Sequence, residues 1–387
     1  SFYQACANEA LNETTYTAAE AGLRFVLAAS LDGVTLATEG WDESNARLLD
    51  AVVPGLVDIQ LSPARFAALK DRLLRGLSAA AQADAWMQVR ESRRALVREF
   101  YATPAEQLAA ARDITLEQVQ AFARQLYASG KLEALAYGNL GPTEAVAAVR
   151  RVAARLQTQG RPEGELLRNR LLVDRPGQAL RLVDPLQVNN SVLRRELVLG
   201  GNDAEMRAAT QVLASFIGDS FYSELRTRQQ LGYIVQATAF EDERQSVALF
   251  LVQSGDYPPD EIARRTDAFI ATYPKQLADL PDDVWAAIVA GVRSRLLERD
   301  KAVVDRAQRL FALGYDKQAD WGRTEATVAA LDRLTRTRVA QILATALDPA
   351  TRRQRDFIGQ ARQHAAPAQD SSTGPDRAAW KQGQRYD

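Results

Sequence analysis

The chain has 387 residues, of which 47% are hydrophobic and 25% charged, a balance that is typical of folded globular proteins and excludes wholesale disorder. Its 48 lysines and arginines are balanced by 49 aspartates and glutamates, which argues against a nucleic-acid-binding protein held by overall positive charge. The single cysteine, Cys6, excludes an intramolecular disulfide framework and is expected to be buried. The length predicts two or three domains.

His364 is the only histidine, and this restricts the chemistry that the chain can carry. Catalytic zinc sites usually take two or three ligands from histidine, and serine or cysteine nucleophiles need a well-placed histidine. His364 adjoins a stretch rich in Ala, Pro, Ser and Gly, which predicts a solvated residue of a tail. The chain alone is therefore poorly equipped for the commonest hydrolytic reactions.

The first part of the chain, residues 1–159, predicts one α+β domain. Apolar residues alternate on both sides of Asp32-Gly33, a dipeptide typical of hairpin turns, and helical spacing follows. The predicted elements are the end of a helix over 1–16, strands at 23–28 and 34–39, a helix at 43–53 that stops near Pro54, helices from Pro63, at 83–100 and at 115–128, a strand at 132–137 and a helix at 142–157.

Residues 160–186 predict a connection, because glycine and proline recur there among short strand-like runs. A second domain is predicted over 187–364 and a disordered tail over 365–387. The elements predicted in the second domain are strands at 192–199, 232–240, 247–254 and 355–358 and helices at 203–217, 219–230, 259–273, 282–315 and 335–346. Hairpins that alternate with long helices favour an antiparallel sheet covered by helices.

The two halves repeat several landmarks in the same order, which predicts two homologous domains, each a largely antiparallel sheet with helices packed on one face. The matched landmarks are Gly22-Leu23 with Gly232-Tyr233, residues 63–66 with 282–285, Ile114-Thr115 with Leu334-Thr335, and Gly138 with Gly359.

The densest group of polar and aromatic residues lies at 220–235, where a predicted helix breaks at Gly232 and continues into a strand. Glycine suits a helix C-terminus because it adopts positive φ without a steric penalty. Arg226 and Tyr233 lie on either side of the break, so both side chains could hold one carbonyl or carboxylate. The structural alternative is that Arg226 pairs with an acid such as Glu224 and that Tyr233 is half-buried.

Two further groups of charged residues have structural explanations. Glu9, Asn12 and Glu13 could be mistaken for metal ligands, but we predict a helix end packed on a sheet. The charged stretch 293–301 predicts a solvated helix face with i,i+4 pairs. The alternative for this stretch is a surface that attracts acidic peptides.

The run 225–235, LRTRQQLGYIV, is very similar to a segment near the C-terminal end of the insulinase/pitrilysin-type (M16) zinc peptidases. Residues 11–16, 21–23, 40–41 and 135–139 resemble the third domain of that family. The resemblance covers about residues 5–360. It implies that the chain corresponds to the family's third and fourth domains.

A full-length member of this family has four homologous domains that close like a clamshell on an unstructured peptide. The resemblance implies that Arg226 and Tyr233 contact bound substrate. Zinc in the family sits on an inverted His-x-x-Glu-His motif of the first domain, and that motif is missing here. We therefore expect no cofactor bound by this chain, with zinc and the general base supplied by an N-terminal half.

Three functions remain open. The first is the C-terminal, non-zinc half of a metalloendopeptidase, which forms a wall of the substrate chamber and is inactive alone. The second is a separate non-catalytic subunit beside a zinc-bearing partner, and the third is a peptide-binding scaffold. Expected partners are peptide substrates and the zinc-bearing half or subunit, with no nucleic acid and no membrane span. The compartment stays open, with the periplasm favoured, and a role in trimming the precursor of pyrroloquinoline quinone is neither favoured nor excluded.

Overall fold

The computed structural model describes residues 1–160, 169–364 and 377–387. Its contacts divide the chain into two units, the first made of residues 1–79, 104–169 and 300–319 and the second of residues 80–103, 170–299 and 320–387. Helices pack against a β-sheet in each unit, so the predicted α+β class is confirmed. No helix in the described ranges is both long enough and apolar enough to cross a bilayer.

The elements of both units are numbered here in chain order. They are α1 (Phe2–Ala10), α2 (Asn12–Glu20), β1 (Arg24–Ala29), β2 (Val34–Glu39), α3 (Asp42–Val57), α4 (Pro63–Ala79), α5 (Ala85–Val97), α6 (Pro104–Ala111), α7 (Leu116–Ala128), α8 (Pro142–Leu156), β3 (Gln178–Leu186), β4 (Ser191–Gly200), α9 (Ala204–Phe221), β5 (Ile234–Asp242), β6 (Gln245–Ser254), α10 (Pro259–Ile270), α11 (Tyr273–Ala278), α12 (Asp282–Leu296), α13 (Val303–Gly314), α14 (Arg323–Leu331), α15 (Arg336–Leu347), β7 (Arg353–Ala361) and α16 (Arg377–Gln382).

In the first unit, helices pack around the antiparallel hairpin of β1 and β2, in which Leu27 pairs with Leu36. Helix α7 begins with a capping box, because Thr115 Oγ1 accepts from Gln118 N at 3.3 Å and Gln118 Oε1 accepts from Thr115 N at 2.9 Å. Cys6 is fully buried, as predicted. The other residues at the centre of this core include Tyr3, Ala7, Val52, Val53, Leu56, Ile59 and Ala123.

Two predictions for the first unit are wrong. Helix α3 continues through Pro54 to Val57, because its buried neighbours, among them Val53 and Leu56, hold the helix against the core. Residues 132–137 form no strand, and all of them are exposed. This segment has no partner strand in the described residues, so its alternating side chains cannot form the buried face of a sheet.

The second unit contains a five-stranded sheet in the order β3-β7-β4-β6-β5, in which β3 runs parallel to β7 and the other neighbours are antiparallel. Strand β3 lies within residues 160–186, which were predicted to be a connection. The sequence reading missed it because Pro185 and Gly177 look like loop signals. Its place at the edge of the sheet tolerates a proline.

Both faces of this sheet are covered. One core lies beneath α9, α10, α11, α12, α14 and α15, and its largest buried side chains include Phe221, Phe250 and Tyr273. On the opposite face α5 packs against the sheet, with Val89 and Leu96 beside Phe357. The contacts thus assign α5 to the second unit, although it lies between residues 1 and 159 in sequence.

Several helix boundaries also differ from prediction. Helix α9 runs without a break at Gly218 into a turn of π-helix over Tyr222–Arg228. The predicted helix 282–315 is two helices, α12 and α13. The predicted helix 259–273 ends earlier, at Ile270, and a separate helix, α11, begins at Tyr273. Long apolar periodicity hides such interruptions, because each fragment keeps its own buried face.

The predicted tail, 365–387, is ordered where the structure describes it. Residues 377–387 contain α16, and Asp387 N donates to Leu171 O at 2.9 Å. His364 is not a solvated tail residue, since its Nδ1 lies 2.8 Å from Oγ of the buried Ser191. Residues 365–376 of the prediction lie outside the described residues.

Candidate substrate-binding site

The candidate site lies where α9 ends and β5 begins. Asp203 caps the start of α9 by accepting a hydrogen bond from Met206 N at 3.0 Å. At its other end, the π-turn closes with Gln229 N donating to Glu224 O at 2.9 Å. Buried Leu225 anchors the turn in the core. Such π-turns occur frequently at functional sites, since they change which side chains face outward.

Gly232 is required for a different reason from the one predicted. The residue with positive φ is Gln230, at 50°, whereas Gly232 is not in that region. A Cβ at position 232 would lie 2.2 Å from Gln253 O of β6, so the strand leaves room only for glycine. Tyr233 N donates to the same oxygen at 3.1 Å. The close approach of β6 therefore requires glycine here and sets the position of the Tyr233 backbone.

The side chains of Arg226 and Tyr233 meet at this point. Arg226 Cζ lies 5.5 Å from the centroid of the Tyr233 ring, within the range of a cation–π contact. Tyr233 is 81% exposed, and Arg226 is half-buried. Among the residues that the structure describes, no carboxylate is within ion-pairing distance of Arg226. A guanidinium and a phenol thus present hydrogen-bonding groups side by side.

Glu224, the acid considered as a partner for Arg226, binds two other residues. Its Oε2 accepts from Arg228 Nη1 at 3.0 Å, and its Oε1 accepts from Gln229 Nε2 at 3.1 Å. The i,i+4 spacing of Glu224 and Arg228 was a usable signal in the sequence, because residues two apart on a helix do not face each other. The structural alternative is therefore wrong for both residues, since Glu224 pairs with Arg228 and Tyr233 is exposed rather than half-buried.

The other groups of charged residues behave differently. Glu9 and Glu13 lie near Arg65, with Glu13 Oε1 at 3.7 Å from Arg65 Nη2. The described part of the chain contains no cluster of three or more His, Cys, Asp or Glu that could hold a metal ion. These residues therefore provide no ligand set that fits zinc.

The stretch 293–301 is not one solvated helix face, since α12 ends at Leu296. Two of its three arginines bind residues of other elements instead of forming i,i+4 pairs. Arg293 Nη1 lies 2.7 Å from Asp332 Oδ2, and Arg295 Nη2 donates to Ser215 Oγ at 2.5 Å.

A buried charge cluster in the second unit attaches α5 to the sheet. Arg93 Nε donates to Glu196 Oε1 at 2.6 Å, and the same guanidinium bonds to Asp242. Arg194 Nη2 also reaches Glu196 Oε1 at 2.6 Å, and Arg355 Nη1 lies 3.6 Å from Glu196 Oε2. Burial acts to raise the pKa of Glu196, but the charges of the three arginines outweigh it and lower the pKa below its ordinary value. We assign this cluster a structural role.

Two family models match the chain. The model for the middle or third domain of M16 peptidases matches residues 1–110, and the model for the C-terminal lobe domain 4 of PqqF-like PQQ synthases matches residues 212–311. Human insulin-degrading enzyme is 24% identical over 338 residues, which are 85% of this chain and 33% of that protein. Protease 3 of Salmonella typhi is 25% identical over 305 residues, 79% of this chain and 31% of that protein. The chain thus spans about a third of the length of these relatives.

Solved structures share the fold. The crystal structure of pitrilysin matches with a TM-score of 0.83 and 22% identity, over 100% of this chain and 41% of that chain. The peptidase M16 inactive domain from Pseudomonas fluorescens matches with a TM-score of 0.66 and 15% identity, over 93% of this chain and 86% of that chain. The fold and the site define a two-unit α+β protein with a pitrilysin-like fold, in which a half-buried arginine meets an exposed tyrosine.

The two family models occupy the chain in the order third domain, then fourth domain. Together with the relatives, the two matches support an M16, insulinase/pitrilysin-like C-terminal half. The resemblance identified from the sequence is thereby confirmed.

Proposed function

We propose that this chain is the C-terminal, non-zinc half of an insulinase/pitrilysin-like metalloendopeptidase. In this role it forms one wall of a chamber that encloses a peptide, and it is inactive without a zinc-bearing N-terminal half. The observation that carries the proposal is the contact between half-buried Arg226 and exposed Tyr233, in which Arg226 has no acid partner among the described residues. Its setting in an M16-like chain supports the same function.

Arg226 and Tyr233 would bind and orient the peptide. The guanidinium donates hydrogen bonds from a planar fork, and the phenol can donate to the same carbonyl or to its neighbour. The ring of Tyr233 supports the guanidinium through the cation–π contact, which reduces the freedom that Arg226 loses when it binds a peptide. We assign hydrolytic chemistry to the N-terminal half, since the described residues of this chain offer no zinc ligand set.

A separate non-catalytic subunit is the second candidate. In this role the chain would work beside a separate, zinc-bearing partner chain. A zinc domain encoded in frame upstream of residue 1 would decide for the first candidate. The third candidate, a peptide-binding scaffold, would need neither an upstream zinc domain nor a zinc-bearing partner chain.

The match of residues 212–311 to PqqF-like PQQ synthases favours one substrate for either candidate. The whole protein would trim the precursor peptide of pyrroloquinoline quinone. Cells that lack the intact protein should then stop making this cofactor, and continued synthesis would contradict the assignment.

The proposed function is tested by cleavage of a quenched-fluorescent peptide with zinc present. The chain is assayed alone and after mixing with a purified N-terminal half that carries the zinc motif. We expect cleavage only in the mixture. Robust cleavage by the chain alone would overturn the proposal. An inactive mixture of two halves that demonstrably associate would favour the scaffold.

Substitutions in the active mixture test the site residues. We expect Arg226→Ala and Tyr233→Phe each to lower kcat/KM about tenfold or more, because each removes donors that bind substrate. The melting temperature should stay unchanged. Matched controls are Arg244→Ala, an exposed arginine of the same unit, and Tyr222→Phe, a half-exposed tyrosine of the π-turn. Full activity of both site variants, or a large loss of stability in Arg226→Ala, would contradict the assignment.

A further inference from the structure

We infer that Glu224 is a selectivity residue of the candidate site. By neutralising Arg228, it leaves Arg226 as the unpaired cation of the π-turn and makes the site favour an uncharged main-chain carbonyl over an acidic side chain. The inference rests on the proposed function and names the class of peptide segment that the site binds: one without an acidic residue at this position.

The contacts of Glu224 hold it in place. One carboxylate oxygen binds Arg228 and the other binds Gln229, so both acceptors are used within the turn. The Glu224 side chain is only 24% exposed, whereas the Arg228 side chain is 78% exposed. An ion pair between two free surface side chains contributes little. Here the amide of Gln229 restrains the carboxylate, so the ion pair has a preferred geometry.

The charges of the turn explain the selectivity. Glu224 and Arg228 cancel, so the turn carries one net positive charge, on Arg226. One guanidinium beside a phenol is sufficient to donate hydrogen bonds to a neutral carbonyl. Two unpaired guanidinium groups within three residues would instead favour a carboxylate, which binds arginine through charge-assisted bidentate bonds.

The Tyr233 side of the site is held independently of Glu224. The Tyr233 backbone is positioned by its hydrogen bond to Gln253 O and by the close packing of Gly232 on β6. Glu224→Gln keeps the size of the side chain and an oxygen that can accept from Gln229, but it removes the charge. This substitution therefore changes the charge of the turn without removing the anchor of Tyr233.

The test measures binding of two fluorescein-labelled peptides to the full 387-residue chain by fluorescence anisotropy. The peptides are identical except for one central residue, alanine or glutamate. We expect Glu224→Gln to improve the affinity for the acidic peptide relative to the neutral one about three- to fivefold. Glu224→Gln combined with Arg228→Ala should restore the parent ratio, because Arg226 is again the unpaired cation of the turn. If Glu224 has only a structural role, Glu224→Gln would weaken the binding of both peptides equally, and the added Arg228→Ala would not restore it.

The outcomes separate this inference from the proposed function. If the parent chain binds both peptides and the Arg226→Ala variant loses them, an unchanged ratio in Glu224→Gln overturns the inference alone. If the parent chain binds neither peptide, the substrate-binding function fails and the inference fails with it. Thermal melting establishes that each variant is folded, and the ratio of kcat/KM for the same two peptides in the mixture with the N-terminal half provides a second readout.

Discussion

The second unit uses its arginines in two ways. Arg93 and Arg355 are buried and bind the carboxylate of Glu196. Arg226, in contrast, lies at an exposed turn against an aromatic ring, and the acid two residues before it is bound by Arg228. The comparison teaches that burial and the availability of an acid partner, more than residue type, separate a structural arginine from one that can bind a ligand.

The energetic consequences of the two arrangements are opposite. A buried charge requires a partner, because removing one member of a buried pair leaves the other desolvated and unpaired. Arg226 pairs with no acid among the described residues, so its removal leaves no unpaired charge in the core. The buried cluster should therefore respond to mutation through stability, and the exposed site through binding.

Breaking the buried cluster should have the largest effect. Arg93→Ala leaves Asp242 without its ion-pair partner and removes one of the three arginines around Glu196, and we expect it to lower the free energy of unfolding by about 3–5 kcal/mol. The measurement is urea denaturation followed by circular dichroism. Arg94→Ala on the same helix is the matched control, since the Arg94 side chain is 44% exposed and pairs with Glu91, three residues before it. It should change the free energy by less than about 0.5 kcal/mol. Equal effects of the two substitutions would remove the distinction between buried and exposed arginines.

A smaller effect is expected at the backbone that positions the exposed site. Gly232→Ala places a Cβ against Gln253 O, so the strands must move apart locally. We expect a loss of about 1–3 kcal/mol in the free energy of unfolding, together with reduced peptide binding. Gly201→Ala is the control, because a Cβ there meets no atom within 4 Å. Unchanged stability and binding in Gly232→Ala would show that β6 does not position Tyr233.

The smallest effect is expected from protonation of the buried cluster. The pKa of Glu196 lies below its ordinary value of 4.5, so its charge stabilises the folded state fully above that value. This stabilisation is lost as the pH falls through the lowered pKa of the folded state. The stability difference between the parent and Glu196→Gln should therefore shrink as the pH is lowered below about 4.5.

Urea denaturation of both proteins between pH 7 and pH 3 measures this difference. Glu205→Gln is the control, since Glu205 forms an exposed ion pair with Arg338. The free energy of unfolding of Glu205→Gln should differ little from that of the parent at every pH. A difference for Glu196→Gln that stays constant across the range would argue against a lowered pKa.

Local signals predicted much of the fold. The turn at Asp32-Gly33 placed the first hairpin, and the predicted hairpin of 232–240 with 247–254 matches β5 and β6. The helix predicted at 115–128 matches α7, which Thr115 caps. These features were predictable because the residues that stabilise them are neighbours in the sequence.

The site was predicted only in part. The sequence placed Arg226 and Tyr233 on either side of one break, and the structure brings their side chains together. It did not reveal the π-turn, the pairing of Glu224 with Arg228, or the reason for Gly232. The last of these depends on β6, which lies some twenty residues further along the chain.

The amino-acid sequence was sufficient for the α+β class and for the resemblance to the C-terminal half of M16 peptidases, and it singled out Arg226 and Tyr233 as candidates. The tertiary structure alone assigned β3 to the edge of the sheet, α5 to its second face and residues 377–387 to an ordered segment. It also separated the buried, paired arginines from the half-buried Arg226, which pairs with no acid among the described residues. Class and motif follow from local spacing and side-chain chemistry, whereas burial and charge pairing depend on residues that only folding brings into contact.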